Sequence, residues 1–184
     1  MTMDDSAIHV TRPRPGEFAA GLASYIARAP EVSDAAGQLQ MQCDALVAFL
    51  APLSNEQSEY RYGPDKWSIK ELLGHLCDSE RIFAYRLLRI GRGDETPLSG
   101  FDENTYATTA QTGHRGFADV LEEWIAVRSA TQALVRGLPA DAWPRRGVSN
   151  GHPITAAALL YIILGHVDHH RTILEERYGV GRSE

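Results

Sequence analysis

The chain has 184 residues, with 18 Lys+Arg against 24 Asp+Glu and a formal net charge of −6. That length suits one domain with a sizeable core, and an acidic balance with no basic block interleaved with aromatics argues against nucleic acid or an anionic membrane as partner. No N-terminal stretch reads as a secretory signal and no apolar run is long enough to span a bilayer, so a cytoplasmic protein is expected.

Residues 1–16 include Arg12-Pro13-Arg14-Pro15-Gly16 and read as a mobile N-terminal arm; the domain proper is expected over 17–184. A short helix is expected from Glu17 to Arg28, stopped by Pro30. The first long helix starts at a cap supplied by Ser33 or Asp34 and runs to about Leu50, with Leu39, Cys43, Leu46 and Leu50 in one stripe. Cys43 and Cys77 make neither a Cys-x-x-Cys pair nor a disulfide framework and read as small core residues.

Residues 54–65 read as a connection. Ser68 then announces the second long helix as N-cap, with Glu71 three residues on completing a capping box; the apolar period reaches about Ile90, and Gly91 and Gly93 end it. Residues 91–116 form a long connection with one short helix around Phe101 to Tyr106, a candidate rim for a site through Asp102, Asn104 and Tyr106, or simply a packed helix capped by Asp102. The third long helix spans Phe117 to about Gly137. Residues 139–153 are expected to be a Gly- and Pro-rich connection, and the fourth long helix covers Ile154 to Tyr178. Four amphipathic helices without convincing strand alternation give an all-α fold, a four-helix bundle with a short extra N-terminal helix. The long second connection suggests an order other than plain up-down-up-down.

The last helix carries Gly165-His166-Val167-Asp168-His169-His170, where three of the seven histidines fall in five residues of an otherwise apolar segment. His166 and His170 are four apart, one turn above each other, and share a stripe with Leu159, Ile162, Ile163 and Ile173, while Asp168, Arg171 and Glu175 point away. Two buried imidazoles one turn apart can converge on a divalent cation, or can be core histidines bonded to neighbouring helices. On the second long helix His75 shares the inward face with Leu72, Ser79, Ile82, Phe83 and Arg86, and supplies a third candidate ligand. Arg86 and Arg128 lie on inward faces, where a guanidinium should be paired; Asp102 or a nearby glutamate is the expected partner, and anchoring of an anionic substrate is the alternative.

Lys66-Trp67-Ser68-Ile69-Lys70-Glu71, Gly74-His75-Leu76-Cys77-Asp78-Ser79-Glu80-Arg81, Gly100-Phe101-Asp102 and Gly165 to His170 together resemble the DinB-like superfamily, which includes the YfiT-type metal-dependent hydrolases. The resemblance runs from about Glu17 to Tyr178. It implies a four-helix bundle with a metal held by three histidines, which map onto His75, His166 and His170 and leave His169 as an outer donor, a proton shuttle or a surface residue. Members of the family include bacillithiol-dependent S-transferases and mycothiol-dependent maleylpyruvate isomerases, so a low-molecular-weight thiol is an expected co-substrate.

Three neutral imidazoles leave a coordination position open on Zn, Ni, Fe or Mn for water, a carbonyl or a thiolate. Asp78, one turn beyond His75, is a candidate to orient that ring or a plain ion-pair partner. No carboxylate is spaced like the Glu of His-Glu-x-x-His, which lowers the odds of peptide hydrolysis. The expectation is a metal-dependent transferase or hydrolase acting on a small molecule, with a non-catalytic metal-binding stress-response or small-molecule-binding module as the alternative. A homodimer through helix faces is expected.

Overall fold

A computed structural model describes residues 8–181. Its long helices are α2 (Ala35–Leu50), α4 (Ile69–Gly91), α6 (Phe117–Arg136) and α7 (Ala156–Glu176), joined by the short α1 (Ala23–Arg28), α3 (Asn55–Ser58) and α5 (Glu103–Thr109). Three of the four long helices start at a side-chain cap, and α6, which follows Gly116, does not. Asp34 caps α2 by accepting from the Gly37 amide, and Ser68 with Glu71 forms the reciprocal capping box at the start of α4. Thr155 accepts from the Ala158 amide at the start of α7. The stripe Leu39, Cys43, Leu46 and Leu50 is buried as the spacing requires.

The helices form a bundle in which α4 packs on α6 and α7, while α2 packs on the same two from the other side. Helices α2 and α4, consecutive among the four long ones, therefore stand diagonally, as do α6 and α7. An up-down-up-down chain would make them neighbours, so the long connections do reorder the bundle. No described helix is long and apolar enough to cross a membrane.

Three segments differ from the sequence expectations. The segment 54–65 opens with a single helical turn, α3, closed by a second capping box between Ser54 and Gln57. The segment expected as a Gly- and Pro-rich connection leads into an antiparallel hairpin of β1 (Arg146–Ser149) and β2 (His152–Thr155), so Ile154 lies in a strand and the last helix starts at Ala156. Its two-residue turn is Asn150-Gly151, both at positive φ (51° and 75°), the geometry of a type I′ turn that an Asn-Gly pair favours. The 91–116 connection is pinned to this hairpin, since the Leu98 amide donates to Val148 O at 2.9 Å and the Asn150 amide to Leu98 O at 2.9 Å.

The third difference is at the N-terminus. Of the expected mobile arm, residues 1–7 lie outside the described residues, but residues 8–16 do not read as an arm. Val10 is 1% exposed and pairs antiparallel with Val32. The buried Tyr161 hydroxyl on α7 donates to Val10 O and accepts from the Val32 amide, and Arg12 donates to the Ala29 and Ile26 carbonyls near the end of α1. The expected Glu17–Arg28 helix is shorter, a 3-10 turn at Ala20–Leu22 followed by α1.

Helix α1 lies across α7 at a point where neither backbone has room to move. A Cβ built on Gly165 would sit 1.9 Å from the Tyr25 carbonyl oxygen, a clash with backbone that no rotamer change relieves. Overpacking of this kind costs about 1–3 kcal/mol, and occasionally more. Gly165→Ala is therefore expected to lower the unfolding free energy by about that amount in urea titration; a variant as stable as the parent would mean that α1 does not rest on α7 here.

Candidate metal centre

Helix α4 brings His75, and α7 brings His166 and His170, to one point between the two helices. Their burial is nearly complete, with exposures of 5%, 4% and 8%. The His166 Nε2 lies 3.1 Å from the Nε2 of His75 and 3.1 Å from the Nε2 of His170, and one ligating nitrogen from each ring falls within 4.8 Å of the others. The rings meet at steep angles, 63° between His75 and His166 and 80° between His166 and His170.

This arrangement is hard to satisfy with hydrogen bonds alone. An imidazole nitrogen carries either one N–H or one lone pair, so the His166 Nε2 cannot make a normal bond to two partner nitrogens at once. A cation facing all three lone pairs removes the conflict. Three imidazoles at about 2.1 Å from a tetrahedral zinc would place their nitrogens about 3.4 Å apart, near the 3.1 Å separations of the His166 Nε2 from its two neighbours.

The electrostatics agree. Burial lowers the pKa of His75 to about 4. Burial first, and then the other histidines, hold His166 and His170 well below their usual value, so all three are neutral near pH 7 and present lone pairs. The indole of Trp67, just before the α4 cap, lies against the His75 ring at 4.7 Å and fixes its plane. Ser79, one turn along α4, places its hydroxyl oxygen 3.5 Å from both His75 ring nitrogens. Tyr25 and Phe83 meet the His166 ring edge-on at 5.3 and 5.5 Å. The His170 Nδ1 is buried with no partner among the described residues.

Other candidates fall elsewhere. Asp78 does not orient His75: it faces Arg81 at 3.6 Å, beside the Arg115 and Glu123 network. His169 packs against Tyr25 and the His170 ring without joining the converging nitrogens. Asp168 accepts from Gln42 Nε2 at 2.7 Å. Asp102 caps α5 by accepting from the amides of Asn104 and Thr105; Tyr106 is 42% exposed. Burial raises the thiol pKa of Cys43 and Cys77, and both stay free in the core.

A cavity of about 490 Å³ opens beside His166. Tyr25 walls it from α1, Ser79 and Phe83 from α4, Leu159 and Ile162 from α7, and Asn150 from the hairpin. Of the Phe101–Tyr106 segment expected at the rim, Phe101 and Glu103 line the cavity but Asp102, Asn104 and Tyr106 do not, and neither α1 nor the hairpin was expected there. The Asn-Gly pair was a readable sign of the hairpin; nothing local marks Tyr25 as a wall.

Fold and site together define a four-helix bundle with a buried three-histidine cluster that opens on a cavity. The chain belongs to the DinB superfamily, whose family model matches residues 38–174. Its fold is similar to that of YfiT from Bacillus subtilis, described as a probable metal-dependent hydrolase with an unusual four-helix bundle topology, with TM-score 0.69 and 19% identity over 92% of this chain and 94% of that one. It is also similar to a mycothiol-dependent maleylpyruvate isomerase, with TM-score 0.66 and 14% identity; the match covers 81% of this chain and 61% of that one. A sequence comparison with curated proteins finds no match.

Proposed function

We propose that His75, His166 and His170 hold a divalent transition metal, Zn, Ni, Fe or Mn, and that the chain is a metal-dependent transferase or hydrolase using a low-molecular-weight thiol on a small molecule. The observation that carries this is the single His166 nitrogen facing two others at 3.1 Å, at the edge of a cavity large enough for a substrate. The fold neighbours, a probable metal-dependent hydrolase and a mycothiol-dependent isomerase, support it.

A divalent ion so held supplies Lewis acidity and lowers the pKa of a thiol or water beside it. The chain's own contribution is positioning and exclusion of water. Trp67 fixes the His75 ring, Phe83 and Ile162 dry the approach, and the Ser79 hydroxyl offers a hydrogen bond next to the cluster. The carboxylates nearest the histidines are engaged elsewhere, Glu80 by Arg128, Asp78 by Arg81 and Asp168 by Gln42, and Glu103 stands out at the exposed rim of the cavity. That favours a thiol, which is a sufficient nucleophile once ionised, over water activated by a side chain. In a transferase step the sulfur bonds to an electrophilic carbon as that carbon's bond to its leaving group breaks, and the thiol proton passes to the leaving group or to solvent.

The test is elemental analysis of the purified protein after exposure to each metal, followed by turnover assays pairing small thiols with electrophiles. About one equivalent of metal and thiol-dependent turnover is the expected result. A protein that takes up none of the four metals removes the basis for the proposal; stoichiometric metal without turnover leaves a binding module instead.

A further inference from the structure

Two arginines point inward from the bundle helices, and their surroundings differ. Arg128 on α6 is 0% exposed and has its carboxylate, Glu80, at 2.8 Å, with the Trp124 ring and Gln42 completing its surroundings. Arg86 on α4 is only 7% exposed, yet no described carboxylate comes within ion-pair distance. Its one protein hydrogen bond runs from Nη2 to the Ser99 carbonyl at 2.8 Å, and the guanidinium lies 5.8 Å from the Phe101 ring centroid. The other N–H groups of Arg86 are not sealed within protein, and the side chain lines the same cavity as His166. A guanidinium has five donors in a planar fork suited to a carboxylate, and one removed from water without a counter-ion is costly unless an anion arrives.

Building on the proposed metal-dependent activity, we infer that Arg86 is the anchor for a single carboxylate on the small-molecule substrate, at the end of the cavity away from the histidines. The remaining charges on the cavity wall set the count at one. Glu103 stands at the exposed rim and opposes a dianion. No lysine lines the space, and the three histidines of the proposed metal site stand at its other end. At the Arg86 end a phosphate dianion would find one cation and one opposing carboxylate, whereas a monocarboxylate is matched by the fork of Arg86.

The helix geometry sets the length. Ser79 and Arg86 both line the cavity from α4 and are seven residues apart, so their backbones lie about 10 Å apart along the axis. Between Arg86 and His166 the wall is Phe83, Leu159 and Ile162. The substrate is thus an elongated monocarboxylic acid with an apolar middle, its acid on Arg86 and its reactive end beside His166. Arg86 touches substrate in this assignment and sets which molecules enter.

The test uses titration calorimetry on the full chain, with 4-phenylbutyrate and its neutral isostere 4-phenylbutanamide as probes. The acid is expected to bind at least ~10-fold more tightly than the amide, and Arg86→Met to abolish that preference while Arg86→Lys retains part of it. His75→Ala, in which metal content is measured in parallel, is expected to keep the acid preference because the acid does not sit on the metal. Equal binding of acid and amide by the parent overturns the inference, as does failure of the acid to bind at ~10 mM, a range where even weak anchors register. A preference that survives Arg86→Met but vanishes in His75→Ala places the acid on the metal, overturning the Arg86 assignment while sustaining the metal. The converse pattern, an Arg86-dependent preference in a protein that takes up no metal, sustains the anchor and removes the metal.

Discussion

Replacing His166 by alanine is expected to abolish metal binding, with a larger effect than any other single change in the site. Its Nε2 is the one that faces both other nitrogens at 3.1 Å, so its loss leaves one donor on each of two helices. Changes to groups that merely orient a ligand commonly cost 10–100-fold in affinity, and removal of a ligand should exceed ~100-fold. Two readouts check this. Dialysed parent protein should carry about one equivalent of metal, and the variant none. Thermal unfolding of the parent should shift upward with added metal, since a ligand at 100 times its Kd stabilises by about 2.7 kcal/mol; the variant should not respond. The Trp67 indole against His75 provides a fluorescence reporter of the same event. Undiminished metal in His166→Ala would put the ion elsewhere in the molecule.

Glu80→Ala is expected to be the most destabilising substitution away from the metal site. Glu80 and Arg128 are 2% and 0% exposed, and removal of the carboxylate strands a fully buried guanidinium between α2, α4 and α6. Breaking such a pair costs about 3–5 kcal/mol, a large share of the ~5–15 kcal/mol that holds a domain folded. The pair itself is not a net source of stability of that size, because both ions have been taken out of water: Glu80 has its pKa raised by burial in spite of Arg128 beside it. The double variant Glu80→Leu with Arg128→Met should therefore recover most of the loss in urea titration. A double variant as unstable as Glu80→Ala would show that the network is needed for more than charge balance.

The parts of this molecule legible in its sequence are those set by contacts within a few residues. Ser68 and Glu71 find each other through three positions of chain, so the start of α4 is written in its local sequence. The inward placement of His166 and His170 follows from 3.6 residues per turn, and His75 from the same rule on α4. Resemblance to the family tied the two helices together, which spacing on separate helices cannot do. What escaped was decided at a distance. The pairing of Val10 with Val32 and both with Tyr161 links three separate parts of the chain, and nothing in Arg12-Pro13-Arg14-Pro15 announces it. Asp78 is one turn from His75 along the helix, yet Arg81, itself held by Glu123 of α6, draws it away. Arg86 and Arg128 look alike by helical spacing, and only the packing of the bundle distinguishes the one with a carboxylate from the one without.

The contact between Gly165 and Tyr25 separates two tasks that share one cavity. The Tyr25 carbonyl rests on a glycine next to His166, so backbone against backbone sets the seat of α1 beside the ligand. Side chains that the turn before α1 presents to the cavity, Leu22 among them, can then be exchanged without moving the imidazoles, whereas the Tyr25 ring packs on His166 itself. For anyone recasting this scaffold toward new substrates, the turn before α1 is the interchangeable jaw of a clamp whose other jaw is bolted to the histidines.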